Sequence, residues 1–158
     1  MTASELTIVK FLVGILKVLL VGELFHISWI DMQKRIIPNK NLLAVALMLA
    51  VVLFCEDNAF SWQQGTIQLL VCFGVGSAVS IVGSMISGKC VLGMGDVKLL
   101  SLFAFALPLF SLINFLCLVG LGSCLWALVY TVRKERSFPL APVLCVSFCG
   151  VYFGVFSG

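Results

Sequence analysis

The feature that most constrains this chain is how little charge interrupts its apolar runs. Across residues 66–87 and 109–130 there is no Lys, Arg, Asp or Glu. A helix of about 20 such residues reaches across the hydrocarbon of a bilayer and satisfies its own backbone hydrogen bonds on the way. Composition agrees: 61% of the chain is hydrophobic, 11% is charged and the mean hydropathy is +1.18, whereas soluble domains are about 45–50% apolar and about 25% charged. The chain is therefore expected to be an all-α, polytopic membrane protein with about six transmembrane helices. At 158 residues these leave only short loops, so residues 1–158 form a single domain.

The spans are placed at 6–30, 42–54, 66–87, 97–107, 109–130 and 141–156. The second and fourth are short for a bilayer, which predicts that they borrow flanking residues or line a protein-shielded cavity. The N-terminal run is not read as a signal peptide. Lys17 interrupts it, no small-residue cleavage site follows, and the apolar pattern continues to Ile30.

Charge orients the bundle. Lys34, Arg35 and Lys40 follow the first span, Lys89 and Lys98 flank the third-to-fourth junction, and Arg133, Lys134 and Arg136 follow the fifth, while residues 56–65 contain no Lys or Arg. The positive-inside rule makes the basic loops cytoplasmic and puts both termini and Asp57 outside. The net charge of +3 then reflects topology and contact with anionic membrane lipid, and nucleic acid is excluded as a partner.

No metal is expected. The cysteines at 55, 72, 90, 117, 124, 145 and 149 contain no Cys-x-x-Cys pair and the one histidine is His26, so no zinc ligand set exists. The cysteines read as small apolar packing residues. Along the third span Gly76, Ser80, Ser84 and Gly88 recur every four residues, a small-residue stripe for close helix contact. In the first span Lys10, Lys17, Glu23 and His26 are expected to pair internally or face a water-filled cavity, with Lys10 snorkelling outward. Trp62 and Trp126 read as interfacial anchors.

Acidic residues are scarce, and two lie at the same edge: Asp31 ends the first span and Asp96 opens the fourth. Alone, Asp96 reads equally well as a helix cap. Its frame, Gly93-Met94-Gly95-Asp96-Val97-Lys98-Leu99, adds to this, because Gly93 and Gly95 allow backbone conformations closed to other residues and let another chain approach closely. Two adjacent carboxylates share a proton, so that one acts as base on a water while the other protonates the carbonyl or the leaving amine. That is aspartic protease chemistry, and it needs no cofactor. A proton relay or small transporter would instead spread its carboxylates through the depth of the membrane; a catalytically idle assembly scaffold is separated from an enzyme only by a cleavage assay.

Three motifs in order resemble the prepilin leader peptidases, membrane aspartic proteases of the Gly-x-Gly-Asp class. Asp31-Met32-Gln33-Lys34-Arg35-Ile36-Ile37-Pro38-Asn39 is similar to that family's first segment, residues 93–99 to its second, and Phe138-Pro139-Leu140-Ala141-Pro142 to its proline-framed third. Leu140 stands where the family often has Phe. The resemblance implies removal of the short basic leader of a prepilin or pseudopilin, after a Gly, at the cytoplasmic face of a bacterial inner membrane. It assigns catalysis to Asp31 and Asp96, and substrate positioning to Gly93, Gly95, Lys98, Pro38, Asn39, Pro139 and Pro142. The prolines read without it simply as helix starters. Larger members also methylate the new N-terminus and carry a region with Cys-x-x-Cys pairs; with neither region nor pairs here, methyl transfer is not expected.

Overall fold

In the computed structural model, which describes residues 3–55, 61–87, 92–132 and 139–154, the chain is a bundle of six helices with no strand among the described residues. They are α1 (Ala3–Lys34), α2 (Asn39–Cys55), α3 (Trp62–Ser87), α4 (Met94–Ala106), α5 (Leu109–Val132) and α6 (Ala141–Tyr152). The all-α expectation holds. Lys89, Asp57, Lys134, Phe138, Gly88 and Cys90 lie outside the described residues.

Two helices, α3 and α5, are long and apolar enough to cross a membrane; in these segments only 6% and 11% of residues are buried. A core helix of a soluble protein would bury most of its apolar surface, so the outward apolar faces suit lipid better than water. By contrast α4, at 13 residues, rises only about 20 Å. It is instead enclosed, packing on α2, α3 and α6, with Val97, Leu99, Ser101, Phe103, Ala104 and Ala106 all buried. Its shortness is accommodated by protein, as the sequence predicted for a short span.

Close approach comes from glycine. A Cβ on Gly76 would lie 2.9 Å from Val97 Cγ1, so the small stripe on α3 is the seat of α4, and Ser80 adds a hydrogen bond to the Leu92 carbonyl at 2.7 Å. A Cβ on Gly122 would lie 2.7 Å from Val143 Cγ1, which draws α5 onto α6. At the far end of α4 the buried Gln68 of α3, with its amide nitrogen turned inward, donates to the Ala104 and Leu107 carbonyls at 2.9 Å each, two groups that a helix end leaves without intrahelical partners.

The core between α4, α5 and α6 is aromatic. Phe103 stacks on Phe148 with centroids 4.1 Å apart, and Phe115 meets both rings edge-on. The first span's polar residues are partnered, as expected: Lys17 sits over the Tyr152 ring at 5.7 Å, Glu23 is 3.9 Å from His26, and His26 Nδ1 is 3.0 Å from Asn41 Nδ2. Lys10 is exposed.

Candidate active site

The site is made by the ends of three helices. Asp31 lies in the last turn of α1, which ends at Lys34 and is closed by Arg35 in the left-handed region (φ 55°), its N–H bonded to the Asp31 carbonyl at 2.9 Å. For a non-glycine residue that conformation costs about 1–2 kcal/mol; it turns the chain sharply so that Pro38, whose carbonyl accepts the Leu42 N–H at 3.2 Å, can start α2. Pro139 is buried and leads into α6, where Leu140 is the N-cap and Pro142 stands in the first turn.

Asp31 is only 5% exposed, and its Oδ2 accepts the Ala141 N–H at 3.2 Å. First-turn N–H groups have no intrahelical partner and lie at the positive end of the helix dipole, so a carboxylate is the natural acceptor there. Both Asp31 and Asp96 lie beyond the apolar stretches 6–30 and 97–107. Burial raises the Asp31 carboxyl above the usual carboxylate range, while the Ala141 N–H and the Arg35 charge pull it back down.

Gly93 is the N-cap of α4, and Asp96 is the helix's third residue. Asp96 is therefore not the cap; its carboxylate reaches back to the Gly93 N–H, the return half of a capping box. Desolvation, then the negative charge of Asp31, hold Asp96 up at about 6, against the lowering bond from Gly93. Asp96 Oδ1 is buried and has no protein hydrogen-bond partner. The fold thus brings the two aspartates into electrostatic contact from different helices.

The glycines act differently from the sequence expectation. Gly93 has ordinary extended dihedrals (φ −68°, ψ 137°), and Gly154 is the one described glycine with positive φ. What the motif needs is space: a Cβ on Gly93 would lie 2.9 Å from Asp96 Oδ2, and one on Gly95 3.0 Å from Ile37 Cβ. Lys98 donates to Asn39 Oδ1 at 3.3 Å, tying α4 to the start of α2. Two residues on from Asp96, it points about 200° around the helix from it.

Three contributors escaped the sequence reading. Ala141 acts through its backbone, which side-chain motifs do not register. Ser28, one turn before Asp31, donates to the Leu24 carbonyl at 2.9 Å and shares a hydrogen bond with the buried Cys145, which lies within electrostatic range of both aspartates. The spacing of Ser28 and Asp31 placed them on one helix face. Cys145 offered no comparable signal.

The bundle thus sets a buried carboxylate and a partly buried one, electrostatically coupled, where three helix ends meet. Residues 18–132 match the model of the type IV leader peptidase family, and the chain belongs to that family: it is a type IV leader peptidase-like protease of a membrane-associated kind. Comparison with curated proteins and with solved structures gave no match.

Proposed function

We propose that the chain is a multi-pass aspartic endopeptidase that removes the basic leader of a prepilin or pseudopilin at the cytoplasmic face of the bacterial inner membrane, without metal, cofactor or methyl transfer. The observation that carries this reading is the effect of Asp31 on Asp96, whose carboxyl is held at about 6 with one oxygen buried and unpartnered. A pair so coupled favours one proton shared between two carboxyls, the working state of an aspartic protease.

When the pair holds one proton, the proton rests on Asp96, and Asp31, steadied as an anion by Ala141 N–H and Arg35, is the base. Asp31 takes a proton from water as its oxygen attacks the scissile carbonyl carbon; Asp96 gives its proton to the carbonyl oxygen. Collapse of the tetrahedral intermediate breaks the C–N bond, the amine leaving with the proton held by Asp31 while Asp96 recovers its own. Gly93 leaves Asp96 Oδ2 its place and Gly95 lets the Ile37 corner close on α4, Pro139 and Pro142 hold the start of α6 where Ala141 meets Asp31, and the Pro38-Asn39 corner with Lys98 fixes α2 against α4. The basic loops face the cytoplasm.

The test is cleavage of a purified prepilin-like substrate in liposomes. Asp31→Asn and Asp96→Asn should each lower the rate at least about 10³-fold, and the double variant should be no worse than either single, because members of one catalytic unit fail together. Asp57→Asn is the control and should be silent. Near-normal cleavage by either single variant would refute the two-aspartate mechanism.

A further inference from the structure

On the side of α4 turned away from Asp96 there is a cleft of about 320 Å³ between α2, α3 and α4. Its walls include Leu43 and Ala46 of α2 and Phe73 of α3, and Asn39 and Lys98 also line it. Asn39 is the first residue of α2 and Lys98 is in the second turn of α4, so this polar pair stands at the rim of the bundle while the leucine and phenylalanine walls run inward. The third polar lining residue, Ser101, donates its hydroxyl proton to the Val97 carbonyl at 2.7 Å and has no donor left for an anion. Lys98 is the cleft's one charged lining residue.

We propose that this cleft binds one anionic phospholipid from the leaflet that contains Asp31 and Asp96. From Asn39 to Ala46 the α2 wall rises about 10 Å, within the roughly 15 Å half-thickness of bilayer hydrocarbon. A single acyl chain is narrow enough to lie along that wall between Ala46 and Phe73. At the mouth, Lys98 uses one of its three donors on Asn39 Oδ1 and has two left for a phosphate oxygen. Asn39, accepting through Oδ1, keeps its amide N–H₂ to donate alongside. A zwitterionic headgroup would bring its own cation toward Lys98, so an anionic one is favoured by charge. The inference rests on the membrane reading and on no step of the cleavage mechanism.

The experiment is native mass spectrometry of the purified full chain, titrated with phosphatidylglycerol or with phosphatidylcholine of the same chain length. The wild type should retain one phosphatidylglycerol about fivefold more tightly than phosphatidylcholine. Lys98→Gln should abolish that preference, and Ala46→Phe, which fills the cleft, should remove retention of both lipids. A benzophenone amino acid in place of Phe73 should crosslink to lipid in liposomes. Equal retention of the two lipids by the wild type, undiminished phosphatidylglycerol binding by a folded Ala46→Phe variant, or crosslinking at position 73 to a transmembrane peptide would overturn the proposal. If Ala46→Phe fails to fold, by circular dichroism, Leu43→Trp takes its place with the same two outcomes. Because lipid retention is read without substrate, its failure is separate from any failure of the aspartic mechanism.

Discussion

Asp31 Oδ2 accepts a hydrogen bond from the Ala141 N–H at 3.2 Å, joining the end of α1 to the start of α6. One carboxylate thereby serves two ends: it caps a helix whose own N-cap, Leu140, has no side chain to do so, and in the proposed mechanism it is held in place as the base. The two services separate by mutation.

Asp31→Asn retains a side-chain oxygen for Ala141, so its helix cap survives while its acid–base chemistry is lost. Asp31→Ala removes both. Losing a capping acceptor costs about 1–2 kcal/mol, so the alanine variant should melt roughly 2–6 °C below the asparagine variant. Amide exchange should quicken in the first turn of α6 only in the alanine variant. Equal melting points and equal exchange would show that the Ala141 bond contributes nothing to the fold.

The two glycines should fail in different ways. Gly93 has dihedrals open to any residue, so Gly93→Ala leaves the backbone alone and pushes Asp96 Oδ2, 2.9 Å from the new methyl, off the Gly93 N–H. Cleavage should fall at least about tenfold, one displaced catalytic group being worth that much or more, with little change in melting temperature. Gly95→Ala meets Ile37 Cβ at 3.0 Å, an atom fixed to the backbone, so the corner between α1 and α2 has to move. Here activity and stability should fall together, and Ile37→Gly should restore activity, though not Ile37→Ala, which keeps the offending carbon. Rescue by Ile37→Ala would mean that the outer Ile37 atoms, not its Cβ, are the obstacle.

Much of this arrangement was legible in the sequence, and the illegible part has a physical pattern. The helices at 66–87 and 109–130 could be read because apolar runs without charge have one economical structure in lipid. The Gly76 stripe announced close packing, though not that Val97 was its partner. Asp31 and Asp96 stood out because acidic residues are scarce in this chain and these two sit at the edges of apolar runs. The fourth apolar run begins at Val97, and the helix borrows flanking residues and begins at Met94, since polar and glycine residues fit a first turn whose N–H groups need partners anyway; the run alone did not show how many. Contacts made by backbone atoms, such as Ala141 N–H, leave no trace in residue types.

The pH profile of cleavage should report the dyad. Asp96 titrates near 6 in the resting site, and the proposed mechanism needs it protonated. The alkaline limb of kcat/KM should therefore lie near pH 6 and belong to the pair jointly, and the acid limb should follow protonation of Asp31. Arg35→Gln, which removes a charge that lowers the Asp31 carboxyl, should move the acid limb upward and thus narrow the bell. A profile flat from pH 5 to 8 would contradict a shared proton.

The same shift makes Asp96 a burden on the folded state. Its carboxyl titrates at about 6 in the fold and at the ordinary 3.8 when unfolded. Between those values the native state holds more protons than the unfolded state, so stability falls as pH rises through the interval, and above about 6 the loss is complete. The difference of about two pH units corresponds to at most about 3 kcal/mol, or roughly 1–2 kcal/mol once partial solvent access is allowed for. Asp96→Asn keeps the shape and cannot ionise. It should melt roughly 2–6 °C above the wild type at pH 7.5, and the gap should close as pH is lowered toward 4, where the wild-type carboxyl is protonated in the fold. Melting the two proteins in one detergent across that range decides it. A wild type more stable than Asp96→Asn at pH 7.5 would mean that the charged Asp96 is welcome where it sits, through a partner that offsets both burial and Asp31.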